Sequence, residues 1–169
     1  NFAFIIFKEG MKFMIEIKDK YTLAIAATLI ANTIKSIIDY SLYLFNITEH
    51  SIYHIAASAY FSVADTRTIP ALIVGIFTDY AVAMILGLLI VYVLYYTSSD
   101  YFWLKGISVG LLSWLLVFGI ILRIKVGRID PVDPATNLVN LVEHLLLGAL
   151  IAFFIVKYGN NFSSSRRDC

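Results

Sequence analysis

The sequence predicts an all-α integral membrane protein, a four-helix bundle with an additional short amphipathic or re-entrant helix between spans one and two. Three observations carry that prediction. The 169-residue chain is 60% hydrophobic and 15% charged, with a mean hydropathy of +0.81, against about 45–50% apolar and about 25% charged in soluble domains. Four apolar stretches are each long enough to cross a bilayer, which takes about 20 helical residues. Polar or proline-containing segments separate them.

The first span, about 21–46, organises the rest. Asn32, Lys35 and Asp39 lie well inside it, and with Thr28, Ser36 and Tyr43 they share one narrow arc of a helix. The remaining faces are Ile, Leu, Ala and Phe. An unpaired charge at mid-bilayer costs between about 2.5 and 17 kcal/mol, depending on the method. The polar stripe must therefore face other helices or a wet cavity.

Residues 47–67 are apolar but too short to span, and they carry His50 and His54. On a helix, Ile52, Ile55, Ala56, Ala59, Tyr60 and Val63 share one side, and His50, His54, Ser58 and Asp65 the other. This predicts an interfacial helix at about 50–63 lying over the polar stripe, with His50 and His54 as a candidate lid. The second span, about 70–96, starts at Pro70, where a missing N–H is tolerated, and contains one charge, Asp79. Ala83 and Gly87 give it a small-residue face. After the polar turn 97–100 comes the third span, about 103–124, with Gly106 and Gly110 at the same spacing. Tyr95, Tyr96, Tyr101, Phe102 and Trp103 form an aromatic belt around that turn. Arg123, Lys125 and Arg128 read as an interfacial anchor. Asp133-Pro134 reads as an N-cap followed by Pro at the first helical position. It opens the fourth span, about 135–158, with Asn137, Asn140, Glu143 and His144.

Three segments result: 1–20 as a cytoplasmic or interfacial lead-in, 21–158 as the four-span domain, and 159–169 as a disordered cytoplasmic tail. Whether residues 1–10 are native structure is left open: Lys8-Glu9-Gly10 ahead of Met14 matches a translated ribosome-binding sequence, and a fragment or an engineered leader would look the same. Residues 2–7 are too short an apolar run for a secretory signal peptide. With the N-terminus inside, eight Lys and Arg outside the spans fall on the inner side and four on the outer. That predicts a multi-pass protein of the cytoplasmic membrane with both termini inside.

The polar residues of spans one, two and four then fall at similar depth. Lys35 lies about 3 Å and Asp39 about 9 Å beyond the midplane, Asp79 about 5 Å, and Glu143 and His144 about 3–5 Å, all toward the outer side. Asn32, Lys35, Asp39, Asp79, Asn137, Asn140, Glu143 and His144 are thus a candidate polar layer with more carboxyls than cations. Lys35 and Asp39 are spaced to pair within their own helix.

Known chemistries are mostly excluded. Cys169 is the one cysteine, so an intrachain disulfide or Cys₂ metal site cannot form. Bis-His haem, the Glu-x-x-His di-iron motif, HExxH and phosphate-binding glycine loops are all missing. Residues 106–110, GISVG, spell GxSxG but fall inside an apolar span, not on the strand-to-helix turn that motif needs. An Asp39/Asp79 dyad sharing a proton is the one catalytic arrangement the spacing allows. No cofactor and no nucleic-acid partner are expected, and a non-enzymatic role is favoured. The lipid bilayer is the expected environment, with a second copy or partner helices expected at Gly106/Gly110 and Ala83/Gly87.

The stretch 129–159, with IKSIIDY in span one and YFWLKG before span three, resembles a family of small, uncharacterised four-span membrane proteins from Gram-positive bacteria. The resemblance covers about residues 14–158 and implies the same architecture in a bacterial cytoplasmic membrane. It brings no catalytic residues with it. Two functions remain open on the residues themselves. The layer binds or conducts a proton, cation or small solute; alternatively, it only fixes helix packing in a structural or assembly subunit.

Overall fold

The computed structural model describes residues 19–121 and 133–159. The lead-in before Asp19, the basic end of the third span with its proline loop, and the tail lie outside the described residues. Among the described residues the chain is all-helical. Helices α1 (Lys20–Leu44), α3 (Ile69–Thr97), α4 (Phe102–Trp114) and α5 (Pro134–Tyr158) are the membrane helices, and α2 (Ile52–Ala57) lies between the first two. Helix α4 continues into a wider π-helical segment, Leu115–Ile121. With that extension, four helices are long and apolar enough to cross a membrane.

The helix ends follow local chemistry. Asp19 caps α1 by accepting the Thr22 N–H at 2.7 Å, and Asp133 caps α5 by accepting the Thr136 N–H at 3.0 Å, with Pro134 in the first turn. Such caps satisfy N–H groups that have no partner within the helix. At the α3–α4 turn, Lys105 Nζ donates to the carbonyls of Thr97 and Ser98 at 3.0 and 2.8 Å. Tyr95, Tyr96, Tyr101 and Trp103 stand exposed around that turn, as a belt at a membrane–water interface would.

Close packing rests on small residues. A Cβ at Gly106 would lie 2.3 Å from the Gly148 carbonyl oxygen, and one at Gly110 would lie 2.2 Å from that of His144. Helices α4 and α5 can approach this closely only because those positions lack side chains. Gly87 meets Thr28 and Ala24 of α1 in the same way, and Ala83 is buried. Both small-residue faces are therefore occupied inside the chain.

Two halves of the bundle differ in chemistry. Toward the α3–α4 turn the core is apolar apart from Thr28, whose hydroxyl donates to Ala24 O: it holds Leu23, Ala27 and Ala31 of α1, Leu86, Ile90 and Leu94 of α3, and Leu147, Ile151 and Ile155 of α5. Every buried charged side chain among the described residues lies toward the opposite end, where α2 sits.

Helix α2 is shorter than the expected 50–63. From Ser58 to Tyr60 the backbone N–H groups turn to carbonyls three residues back, and the Ser58 hydroxyl donates to Ile55 O at 2.7 Å, which unwinds the helix. Nor does the two-sided pattern hold. Tyr60 and Val63 are exposed, whereas His54 and Ser58 are buried. The helix packs on α3 rather than lying on the surface, and Gly75 of α3 admits the Tyr53 carbonyl.

Candidate functional site

Helix α1 turns Thr28, Asn32, Lys35, Ser36 and Asp39 into the bundle, all buried, with Lys35 and Asp39 each 1% exposed. Across from them, α3 presents Asp79. Lys35 Nζ donates to Asp79 Oδ1 at 2.7 Å, and Asn32 Nδ2 donates to Asp79 Oδ2 at 2.8 Å. The Lys35–Asp39 pairing suggested by their spacing does not form; the lysine crosses to α3 instead. Asp39, one turn further along α1, accepts the Ile52 N–H of α2 at 3.0 Å. That N–H belongs to the first turn of α2 and has no partner within the helix.

Helix α5 supplies the third side. Glu143 is 3% exposed and His144 is 6% exposed. His144 Nδ1 donates to Asn140 O at 2.8 Å, and its ring stands edge-on to Phe118 at 5.4 Å. Asn140 Nδ2 donates back to Thr136 O at 2.8 Å. Among the described residues neither carboxyl oxygen of Glu143 has a hydrogen-bond partner, nor has Asn140 Oδ1. Asp39, Lys35 and Asp79 are the charges that act on Glu143, and Lys35 and Asp79 act on His144. Asn137 is half-buried and engaged in a contact of its own. The eight residues read as a polar layer therefore come from three helices that pack against one another, with Asn137 at the margin.

The two candidate lid histidines behave differently. His54 is buried and closes the start of α2. Its Nδ1 accepts the Ser51 N–H at 3.2 Å and lies 2.8 Å from the Ser51 hydroxyl, while its ring packs 4.8 Å from that of Tyr43. Burial, reinforced by His50 and Arg67, pushes its pKa down to about 4. The ring is thus neutral at neutral pH, as an acceptor Nδ1 requires. His50 is half-buried, and its Nδ1 has no partner.

Two cavities flank the layer. One, about 440 Å³, opens beyond α1 between Tyr43, Thr48, Glu49, Arg67 and Asp133. Its rim is tied together where the Thr136 hydroxyl accepts the Glu49 N–H at 3.1 Å and donates to Asp133 at 2.5 Å. The side-chain and backbone hydrogen bonds from Thr136 hold the Asp133 carboxyl below the usual carboxylate range. The second, about 300 Å³, opens sideways between α1, α2 and α3. Sequence reasoning missed this cleft. Thr33, Ser36 and Tyr40 recur at three- and four-residue spacing on α1, with Ser41 next to Tyr40, a signal that was present but outweighed by the charged stripe beside it.

The chemistry open to this arrangement is narrow. Both Asp79 oxygens are taken by Lys35 and Asn32, so Asp79 and Asp39 do not form a proton-sharing dyad. Among the described residues no three His, Cys, Asp or Glu side chains converge as a metal-binding group. What stands out is a buried carboxyl without a donor, beside a bonded Lys–Asp pair. Comparison of the chain with family models, with curated proteins and with solved structures finds no match.

Proposed function

We propose that this small membrane protein binds a proton or small cation in its polar layer, with Glu143 as the receiving group. One observation carries the reading: Glu143 is 3% exposed and neither carboxyl oxygen is hydrogen-bonded among the described residues. Burying a carboxyl without donors is costly, and that cost is removed when a proton or cation arrives. The surrounding groups suit a cation. Lys35 is already neutralised by Asp79, which leaves Asp39 and Glu143 as the acidic surplus.

The wall of Leu, Ile and Val toward the α3–α4 turn favours a site reached from one side over an open pore. With both termini in the cytoplasm, as the Lys and Arg distribution favours, the site is reached from outside. Transport from such a site requires a second conformation in which that wall opens. A bacterial cytoplasmic membrane and the resemblance to uncharacterised four-span proteins belong to this same proposal. The packing alternative draws support from the Lys35–Asp79–Asn32 cluster, whose bonds are complete and join α1 to α3. It does not account for Glu143.

The test is thermal unfolding of the purified protein in detergent, titrated with sodium, potassium and ammonium chloride against choline chloride at several pH values. A ligand that binds only the folded state raises the Tm with its concentration. The wild type is expected to respond to proton concentration or to one of the small cations, and Glu143→Gln to fold but lose that response. Identical, flat behaviour of both proteins overturns the proposal.

A further inference from the structure

The sideways cleft has a chemistry of its own. Thr33, Ser36, Tyr40, Ser41, Tyr53 and Tyr80 line it, and each carries a hydroxyl. Several of the hydroxyl protons are already committed. Thr33 donates to Leu29 O at 2.7 Å and Ser41 to Ile37 O at 2.6 Å. Thr33 and Tyr80 are 2.9 Å apart; since the Thr33 proton goes to Leu29, Tyr80 is the donor of that bond. Oxygen lone pairs therefore remain on Ser41 and Tyr80 for a ligand to donate to. Ser36 is 4% exposed, and its hydroxyl has the Tyr53 phenol beside it without a well-aligned hydrogen bond. The rings of Tyr40 and Tyr53 stand 6.4 Å apart, and aromatic faces attract cations.

Position adds the second half of the argument. Along α1 the cleft runs from Thr33, near the helix centre, to Ser41, about 12 Å toward the α2 end. Its mouth is on the outer face of the bundle, where Ile37 is 63% exposed and Tyr40 is 40% exposed. Its inner end reaches the polar layer: Tyr80 follows Asp79 in sequence, and Tyr53 lies in the field of Asp79 and Asp39. The cleft between the lipid face and the polar stripe of α1 is thus lined by acceptor oxygens and tyrosine rings.

We propose that this cleft is a side entrance from the bilayer for amphiphilic amines, taking a protonated alkylamine with its ammonium among the hydroxyl oxygens and its chain in the lipid. The inference rests on the cation-binding reading of the layer and names a substrate class for it. An ammonium brings three donors and a positive charge, which match acceptor oxygens, aromatic rings and an acidic surplus. An anionic headgroup would meet the acidic surplus with the same sign of charge, and a purely apolar lipid would leave the acceptor oxygens unpaired.

The experiment uses the full chain in zwitterionic nanodiscs and follows the Tm with decylammonium and with ethylammonium. Decylammonium is expected to act at a concentration at least tenfold lower than ethylammonium on the wild type. Ile37→Trp, which fills the mouth from its lipid side, is expected to weaken the decylammonium response at least tenfold and leave the ethylammonium response in place. Ser41→Ala removes one acceptor without adding bulk, and is expected to weaken decylammonium at least threefold; it decides the matter if Ile37→Trp does not fold. If ethylammonium acts but decylammonium is no better, or if the cleft variants bind decylammonium as the wild type does, the side entrance is overturned and the cation site stands. If neither amine changes the Tm, the side entrance falls; the inorganic-cation and proton titrations then decide the cation reading separately.

Discussion

Lys35 of α1 and Asp79 of α3 meet at 2.7 Å inside the bundle, with 1% and 9% of their surfaces exposed. Removing one member of a buried pair leaves the other uncompensated, at a cost of about 3–5 kcal/mol, whereas replacing both by apolar groups is often neutral. Asp79→Leu alone and Lys35→Met alone are each expected to lower the Tm in detergent strongly, and the double variant to recover much of the loss. Asp39→Asn combined with Lys35→Met should show weaker coupling, because Asp39 is held by the Ile52 N–H. Strictly additive losses for Lys35 and Asp79 would remove the pair as an energetic unit.

The first helix was legible because the helical period alone gathers Asn32, Lys35 and Asp39 on one face, and a charge cannot face lipid. The same reasoning placed Asp79, Glu143 and His144 at matching depth. Periodicity cannot say which neighbour a long side chain chooses, however. Lys35 had a partner four residues along its own helix and took one on α3, where Asn32 completes the carboxylate's bonds. The link from Asp39 to α2 was hidden for another reason, since its donor is a backbone N–H that any residue at position 52 would supply. The glycines were recognised as packing devices, but their spacing is silent on whether the other helix belongs to the same chain. The π-helical segment after Trp114 has no counterpart in the pattern, because its register depends on tertiary packing such as that of Phe118 on His144.

The α4–α5 contact predicts a graded response to methyl groups. A Cβ at Gly110 would lie 2.2 Å from the His144 carbonyl oxygen, a backbone atom that can yield only if the helices separate. At Gly119 the nearest atom would be Leu115 Cδ2 at 3.6 Å, ordinary contact. Gly110→Ala is therefore expected to lower the Tm markedly, by about 1–3 kcal/mol or more in stability, and Gly119→Ala to be neutral or slightly stabilising. Equal Tm values for the two variants would contradict the close approach.

His54 makes stability depend on pH in a definite direction. Its folded pKa, about 4, lies below the ordinary value of 6.5, because of burial first and then His50 and Arg67. The unfolded chain therefore binds more protons between these values. This contribution is fully present above about pH 6.5 and is lost as the pH falls toward 4. His54→Asn retains an acceptor for the Ser51 N–H but does not titrate. Its Tm is expected to fall less than that of the wild type over this window, and parallel curves would assign the pH dependence elsewhere.

Orientation can be read by impermeant thiol labelling in a Cys169→Ser background. With both termini inside, a cysteine replacing Tyr60, which is 60% exposed between α2 and α3, should react in intact cells. One replacing Ser99, in the α3–α4 turn, should react only after permeabilisation. The reverse pattern would put the polar layer on the cytoplasmic side.

Glu143 separates a binding role from a packing role most sharply, because the two make opposite stability predictions. A residue retained for packing contributes bonds, and its loss destabilises. The two carboxyl oxygens of Glu143 make none among the described residues, so its burial there carries a desolvation cost without compensation. Replacing such a group by an apolar side chain of similar size often stabilises, by about 1–4 kcal/mol where whole buried ionic clusters are exchanged. Glu143→Leu is therefore expected to raise the Tm in choline chloride above that of the wild type and to abolish the response to protons or small cations. Glu143→Gln should lose the response as well, but gain less stability, since its amide still needs partners. A Glu143→Leu protein that melts below the wild type in every salt would place the carboxyl in a bonded structural role and remove the reason for assigning it a ligand.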